Sequence, residues 1–237
     1  MKPDTIIKLE GLKKHYPIGG GYFTALNGIN LEFARGEFAA LIGPSGSGKT
    51  TMINIIGSLD APSEGKVTFM EYSIGELNAK TAALIRSSKM GFIFQTYNLL
   101  PVYTVFENVE LPLLLLGIDR KSRIKMVRDA IEWVGLTDKT KSKPAQLSGG
   151  ECQRVAIARA MVKNPAVVFA DEPTANLDAA NSHHILQTME KLNRELQTTF
   201  LFATHDEKVI SYVRRRIYLS DGLVVRDEEV NPKRKEV

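Results

Sequence analysis

The stretch Leu41 to Thr51, Leu-Ile-Gly-Pro-Ser-Gly-Ser-Gly-Lys-Thr-Thr, combines residue types and spacing suited to holding a phosphate. Gly43, Gly48, Lys49 and Thr50 fit the pattern G-x-x-x-x-G-K-[ST], with Pro44, Ser45, Gly46 and Ser47 filling the loop. Small residues let successive backbone N–H groups curl around an anion. A helix starting behind the loop adds the positive end of its dipole. Lys49 is expected to reach the outer phosphates, and the Thr50 hydroxyl to complete a Mg²⁺ shell. Taken alone, the loop fits kinases, GTPases and ATPases equally well.

A second group is Val167-Val168-Phe169-Ala170-Asp171-Glu172. A strand that delivers two adjacent carboxylates to its carboxyl end can use them separately. Asp171 can hold Mg²⁺ while Glu172 polarises an attacking water. His205 ends another apolar run, Thr199 to Ala203, and could reach a terminal phosphate if the two strands lie side by side. His183 and His184 lack such a context and read as surface residues. Leu147-Ser148-Gly149-Gly150-Glu151 opens a helix and offers a second anion-binding terminus, or simply a helix start capped by Ser148. Gln95 leaves the end of the apolar run Met90 to Phe94, a usual place for ligand chemistry in open α/β sheets. Tyr16, close to Gly19-Gly20-Gly21, is either a strand-edge aromatic or a ring stacked on a nucleobase.

These groups need elements to position them. Ile29, Leu31 and Phe33 alternate with polar residues as in a half-buried strand, and Arg35-Gly36-Glu37 turns into the buried strand Phe38 to Ile42. A helix is expected from Thr51 to Leu59, then a strand from Lys66 to Met70. The next helix spans about Asn78 to Ser88, anchored by Leu84 and Ile85. From Asn98 to Ala145 the pattern turns wholly helical: Pro101 and Pro112 bracket a helix Thr104 to Leu111, and Lys121 to Val134 carries Ile124, Val127, Ile131 and Val134 on one face. Further helices are expected over Glu151 to Lys163 and Ala179 to Leu196. Ser220-Asp221-Gly222 marks a closing hairpin, and the charged tail after Asp227 should fray.

The chain has 237 residues, 43% hydrophobic and 24% charged, with a net charge of +4 and a single cysteine, Cys152. This suits a soluble domain with a full core and excludes an internal disulfide. No recognition motif accompanies the mild positive charge, so no nucleic-acid partner is expected. No targeting segment is expected either, and the apolar run Leu111 to Leu116 is far shorter than the ~20 residues of a membrane span. Any membrane role must come through a partner.

In this order, the groups resemble the ATP-binding cassette family of ATPases over nearly the whole chain. The resemblance implies an α/β fold: a P-loop NTPase (RecA-like) core with an N-terminal antiparallel β-subdomain and an inserted α-helical subdomain. The corresponding boundaries are 1–97 for the β-subdomain and the first part of the core, 98–146 for the insert, 147–227 for the rest of the core and 228–237 for a tail. Gly43 to Thr50 become the Walker A motif, with Thr51 also on the nucleotide, and Val167 to Asp171 become Walker B. Lys49, Glu172 and His205 take catalytic roles, while Thr50, Gln95 and Asp171 hold the metal. Leu147 to Glu151 is the signature, Ala175-Asn176-Leu177-Asp178 the D-loop, and Tyr16 the adenine-stacking ring.

The family further implies ATP and Mg²⁺ as cofactors, and a head-to-tail homodimer in which one copy's signature closes over the other's nucleotide. Gly91-Phe92-Ile93-Phe94-Gln95, Asn98-Leu99-Leu100-Pro101, Glu107 to Pro112 and Arg154 to Ala160 resemble the lipoprotein-release, macrolide-export and cell-division (LolD/MacB/FtsE-like) group. That group implies an integral membrane permease-like subunit, a periplasmic or lipoprotein partner of that subunit, and a place at the cytoplasmic face of the inner membrane. The work would be export or extraction of a lipid-linked, amphipathic or peptide-like substrate, or force transmission. Cys152, where Gln or Arg is usual, and Ala175, where Gly is frequent, depart from the pattern without removing a phosphate or metal ligand. A soluble relative acting on DNA or ribosomes would usually carry a long coiled coil or two cassettes in one chain. A small-molecule kinase would need neither the signature nor Glu172 and His205.

Overall fold

The computed structural model describes residues 4–230. Strands β1 (Thr5–Ile18) and β2 (Gly21–Ala34) form a long hairpin turned at Gly19-Gly20, where Gly20 takes a left-handed φ of 92°. β4 (Glu64–Phe69) pairs antiparallel with the other edge of β1, and β5 (Tyr72–Ser73) completes a sheet ordered β2-β1-β4-β5. The second sheet contains β3 (Phe38–Ile42), β6 (Met90–Ile93), β7 (Val167–Asp171), β8 (Thr199–Thr204), β9 (Arg215–Ser220) and β10 (Leu223–Glu229), ordered β10-β9-β3-β8-β7-β6. All its pairings are parallel except the terminal β9–β10 hairpin. The expected α/β arrangement, with its antiparallel N-terminal sheet, is the one observed.

The central strands are apolar at nearly every position because both faces are covered. Phe38, Ala40, Phe200, Phe202, Val168 and Ala170 face one core. Ala39, Leu41, Leu201, Ala203, Val167 and Phe169 face the other. Helix α1 (Lys49–Ile56) fills the second core with Met52, Ile53, Ile55 and Ile56, and α2 (Ala79–Lys89) adds Ile85. The first core takes α3 (Val105–Leu115), α4 (Arg120–Trp133), α5 (Gly149–Met161), α6 (Ala179–Leu196) and the short α7 (Glu207–Tyr212). Each large apolar side chain removed from water contributes about 1.5–3 kcal/mol, so the two layers clamp the sheet from both sides.

Four details depart from the sequence expectation. Helix α1 begins at Lys49, directly after the left-handed Gly48, so the lysine belongs to the first helical turn. In α2, Ala82 and Ile85 form the buried face and Leu84 points outward, 61% exposed. Pro112 does not end α3 but lies inside it. The buried stripe Val105, Val109 and Leu113, at fourfold spacing, continues across it and offsets the loss of one backbone bond. β10 runs through Glu229, held by Arg215, whose guanidinium binds both oxygens of Asp227 at 2.8 and 2.6 Å. The basic residues Lys233, Arg234 and Lys235 lie outside the described residues.

Candidate functional site

Parallel pairing aligns the carboxyl ends of β3, β8 and β7: Ile42 sits opposite Thr204, and Ala203 opposite Asp171. The phosphate loop, the acidic pair and His205 therefore leave the sheet side by side, at the edge where open α/β sheets bind ligands. They line a cleft of about 610 Å³ together with Tyr16, Phe23, Ala25, Thr51 and Gln95. Among the residues expected in the loop, Gly43, Pro44, Ser45, Gly46, Gly48, Lys49 and Thr50 face the cleft. Ser47 lies beneath them, 2% exposed.

The loop is built by close approach. A Cβ on Gly43 would meet the Leu219 carbonyl at 2.3 Å, and one on Gly48 the Ala25 carbonyl at 2.6 Å. Gly48 caps α1 with no side-chain hydrogen bond, so the first N–H groups of that helix stay available to an anion. Buried Lys49 donates from Nζ to the carbonyls of Gly43 (2.7 Å) and Pro44 (2.9 Å). Among the described residues it forms no salt bridge to a carboxylate, although its charge acts on nearby Asp171. Ser47 Oγ, also buried, has no hydrogen-bond partner among them. A positive charge and a buried hydroxyl around glycines make a cradle suited to an anion.

Thr50 Oγ1 lies 3.2 and 3.4 Å from the carboxylate oxygens of Asp171. A hydroxyl beside a carboxylate, with Gln95 also lining the cleft, offers the oxygen donors a hard divalent cation takes, so these residues fit Mg²⁺. Burial raises the pKa of Asp171; the Thr50 hydroxyl opposes this and the Glu172 charge reinforces it. Glu172 stands at φ 45°, a left-handed conformation that costs a non-glycine residue energy. Its carboxylate accepts from Thr204 Oγ1 (2.8 Å), His205 N (3.2 Å) and His205 Nδ1 (2.6 Å). Those bonds over-determine the strained geometry and aim the carboxylate into the cleft.

The remaining expected residues are placed otherwise. None of Leu147 to Glu151 lines the cleft. Ser148 caps α5 in a reciprocal box: its hydroxyl accepts from Glu151 N (3.2 Å), and Glu151 Oε2 accepts from Ser148 N (2.7 Å). Gly149 and Gly150 sit close to neighbouring side chains: a Cβ would lie 3.0 Å from Tyr97 Oη and 2.6 Å from Asn181 Oδ1. Asn176 donates to the Gln95 carbonyl at 2.9 Å, and Asp178 caps α6 through Asn181 N at 2.8 Å. Leu177 packs against the first core. His183 and His184 are exposed, as expected.

Three residues in or behind the cleft escaped the sequence reading. Phe23 sits directly across the hairpin from Tyr16, a pairing that depends on bulges no local pattern reveals. Thr204 is buried and orients Glu172. Asp60 accepts from the Tyr16 hydroxyl at 2.8 Å.

A family model described as ABC transporter matches residues 26–175. An uncharacterized ABC transporter ATP-binding protein of Methanocaldococcus jannaschii, MJ0796, is 43% identical over 95% of this chain and 97% of its own length. Its dimeric structure in a post-hydrolysis state bound to ADP and Pi superimposes with a TM-score of 0.87, at 42% identity, covering 95% of this chain and 99% of that one. The lipoprotein-releasing system ATP-binding protein LolD of Geobacter metallireducens is 42% identical over 94% of this chain and 99% of its own. The macrolide export ATP-binding/permease protein MacB 1/2 of Paracoccus denitrificans is 41% identical over 94% of this chain, which spans only 33% of that longer protein.

Proposed function

This chain belongs to the ABC transporter family, and on that premise we propose that it is the Mg²⁺-dependent ATP-hydrolysing subunit of a membrane complex. It works as a homodimer in which Leu147 to Glu151 of one copy covers the nucleotide held by the other. The observation that carries this reading is the buried Lys49 ammonium, hydrogen-bonded among the described residues to carbonyls of its own loop, beside a Ser47 hydroxyl that has no hydrogen-bond partner among them. A triphosphate supplies the anion those groups lack.

Lys49 and the N–H groups of the loop bind the outer phosphates, and Tyr16 takes the base. Thr50 and Asp171, with Gln95, would hold Mg²⁺, which when bound neutralises phosphate charge. Glu172 accepts a proton from the water that attacks the terminal phosphorus, giving ADP and phosphate. Thr204 and His205 keep its carboxylate in line. Such positioned bases contribute roughly 10²–10⁴-fold in rate.

The signature lies outside the cleft of its own chain, which is why a second copy is required. Lys49→Ala and Ser148→Arg proteins are each expected to be inactive in MgATP. Mixed together, they form a heterodimer with one intact composite site and recover turnover. A mixture as inactive as its components would sink the head-to-tail arrangement.

Among the described residues no helix is long and apolar enough to cross a membrane. A permease-like partner, met through the Gln95 to Pro112 surface where Leu100, Val102 and Tyr103 are exposed, holds the subunit at the cytoplasmic face of the membrane in this reading. The likeness to LolD and MacB supports a lipid-linked, amphipathic or peptide-like substrate, or force transmission through that partner. Co-purification with the membrane subunit encoded beside it tests this. An ATPase that retains DNA or ribosomes and no membrane subunit would point elsewhere.

A further inference from the structure

Tyr16 is not a free ring at a hairpin edge. Its hydroxyl donates to Asp60 Oδ2 at 2.8 Å, and Lys14 Nζ donates to Asp60 Oδ1 at 2.6 Å and to the Ala61 carbonyl at 2.8 Å. The same ammonium lies 4.9 Å from the centroid of the Tyr16 ring, close enough for a cation–π contact. Lys14 is buried, 9% exposed, an unusual position for a lysine unless its charge is paired.

Asp60 is itself tied to the phosphate-binding helix. Its backbone N–H and that of Leu59 both donate to the Asn54 carbonyl of α1, at 3.2 and 2.8 Å. The near end of α1 carries Lys49, and its far end fixes the carboxylate that holds Tyr16. Burial raises the pKa of Tyr16 and the Asp60 hydrogen bond acts in the same direction, outweighing the opposing Thr51 hydroxyl, so the Tyr16 hydroxyl remains a donor at neutral pH. Burial pushes Asp60 up, but Lys14, Tyr16 and the Ala61 N–H outweigh it and hold the carboxylate below its usual pKa.

We propose that Asp60 is the positioning residue for the nucleobase half of the site, fixing the pose of the Tyr16 ring at a set distance from the phosphate cradle while Lys14 fixes Asp60. The proposal rests on the reading that Tyr16 stacks on the base. Asp60 touches no phosphate and acts only through Tyr16. Without it, the ring must be immobilised when nucleotide binds, a cost equivalent to roughly 2- to 10-fold in affinity.

The test compares MgATP with Mg-tripolyphosphate, which has the phosphates and no base, by equilibrium competition on the folded full-length protein. Asp60→Ala and Tyr16→Phe are each expected to weaken ATP roughly 2- to 10-fold and to leave tripolyphosphate unchanged. The double variant should lose no more than Tyr16→Phe alone, because that variant already removes the hydrogen bond Asp60 accepts. Asp60→Asn keeps an acceptor oxygen and should retain most of the affinity. It also serves if Asp60→Ala does not fold.

Losses that add, or that fall equally on tripolyphosphate, would overturn the proposal and leave Asp60 a purely structural tie. Tyr16→Ala separates the two levels of argument. If it leaves ATP affinity unchanged, the base-stacking reading itself fails. If it weakens ATP while Asp60→Ala and Tyr16→Phe do not, only the role of Asp60 fails.

Discussion

Glu172 Oε1 accepts a hydrogen bond from His205 Nδ1 at 2.6 Å, joining the end of β7 to the end of β8. An ionised carboxylate can only accept, so Nδ1 carries the proton and Nε2 is left to face other partners. The histidine side chain is 75% exposed while the glutamate is 16% exposed. The pair thus presents a ring outward and keeps its acid within the cleft.

Replacing Glu172 by Gln removes the proton acceptor but keeps the shape and the bond from Thr204. ATP binding is expected to persist while turnover drops by about 10²–10⁴-fold. The variant should accumulate as a dimer in MgATP, visible by size-exclusion chromatography. Turnover near the parent rate would remove Glu172 from the chemistry.

Lys49→Ala takes away the only charged donor of the loop. Hydrogen bonds from charged groups are worth about 1.5–3 kcal/mol, so nucleotide affinity should fall roughly 10- to 100-fold. Calorimetric titration measures it, and unchanged affinity would contradict the phosphate-loop assignment.

Asp171→Asn is expected to stabilise the nucleotide-free protein at neutral pH while abolishing Mg²⁺-dependent turnover. Burial raises the folded-state pKa of Asp171 above its unfolded value, so the ionised form costs stability. That cost is complete above the raised pKa and vanishes as pH falls below the ordinary aspartate value. The melting-temperature gap between variant and parent should therefore close on acidification. A gap independent of pH would place the effect elsewhere.

Asn108 is fully buried and stitches the segment before α3. It accepts from Leu100 N at 2.8 Å and donates to the carbonyls of Leu100, Tyr103 and Thr104. The Leu100 and Thr104 carbonyls keep backbone partners, but Asn108→Ala would take from the Leu100 N–H and the Tyr103 carbonyl the partner they have here, at about 1–3 kcal/mol for each group left unsatisfied. Chemical denaturation should show that loss, and amide exchange across residues 98–104 should quicken. Unchanged exchange there would count against the stitch.

The grouping of the candidate site residues was legible wherever it is local. The phosphate loop, Asp171-Glu172 and His205 announce themselves because each occupies consecutive residues at the end of an apolar run. Asp60 did not, since its partners Lys14 and Tyr16 lie on the first strand and only tertiary packing brings them together. Periodicity could not separate Leu84 from Ile85, neighbours of similar character on a short helix of which only one is buried. Pro112 misled because the rule about helix breaking weighs one lost bond and not the burial of Leu113 behind it. For Ser148, the open choice between cap and anion site turns out to involve one hydroxyl, engaged as a cap here.

The two cores on opposite faces of the sheet make the active geometry a matter of counting. In β8, Phe200 and Phe202 point to one core, Leu201 and Ala203 to the other. A slip by one residue would send both phenylalanines into the layer shaped for Leu201 and Ala203, and every side chain would change sides. The ends of β3, β7 and β8 therefore cannot creep past one another in small steps, and the spacing between Lys49, Glu172 and His205 is discrete. Damage deep in either core should reduce the number of competent molecules and leave each survivor working at its normal rate.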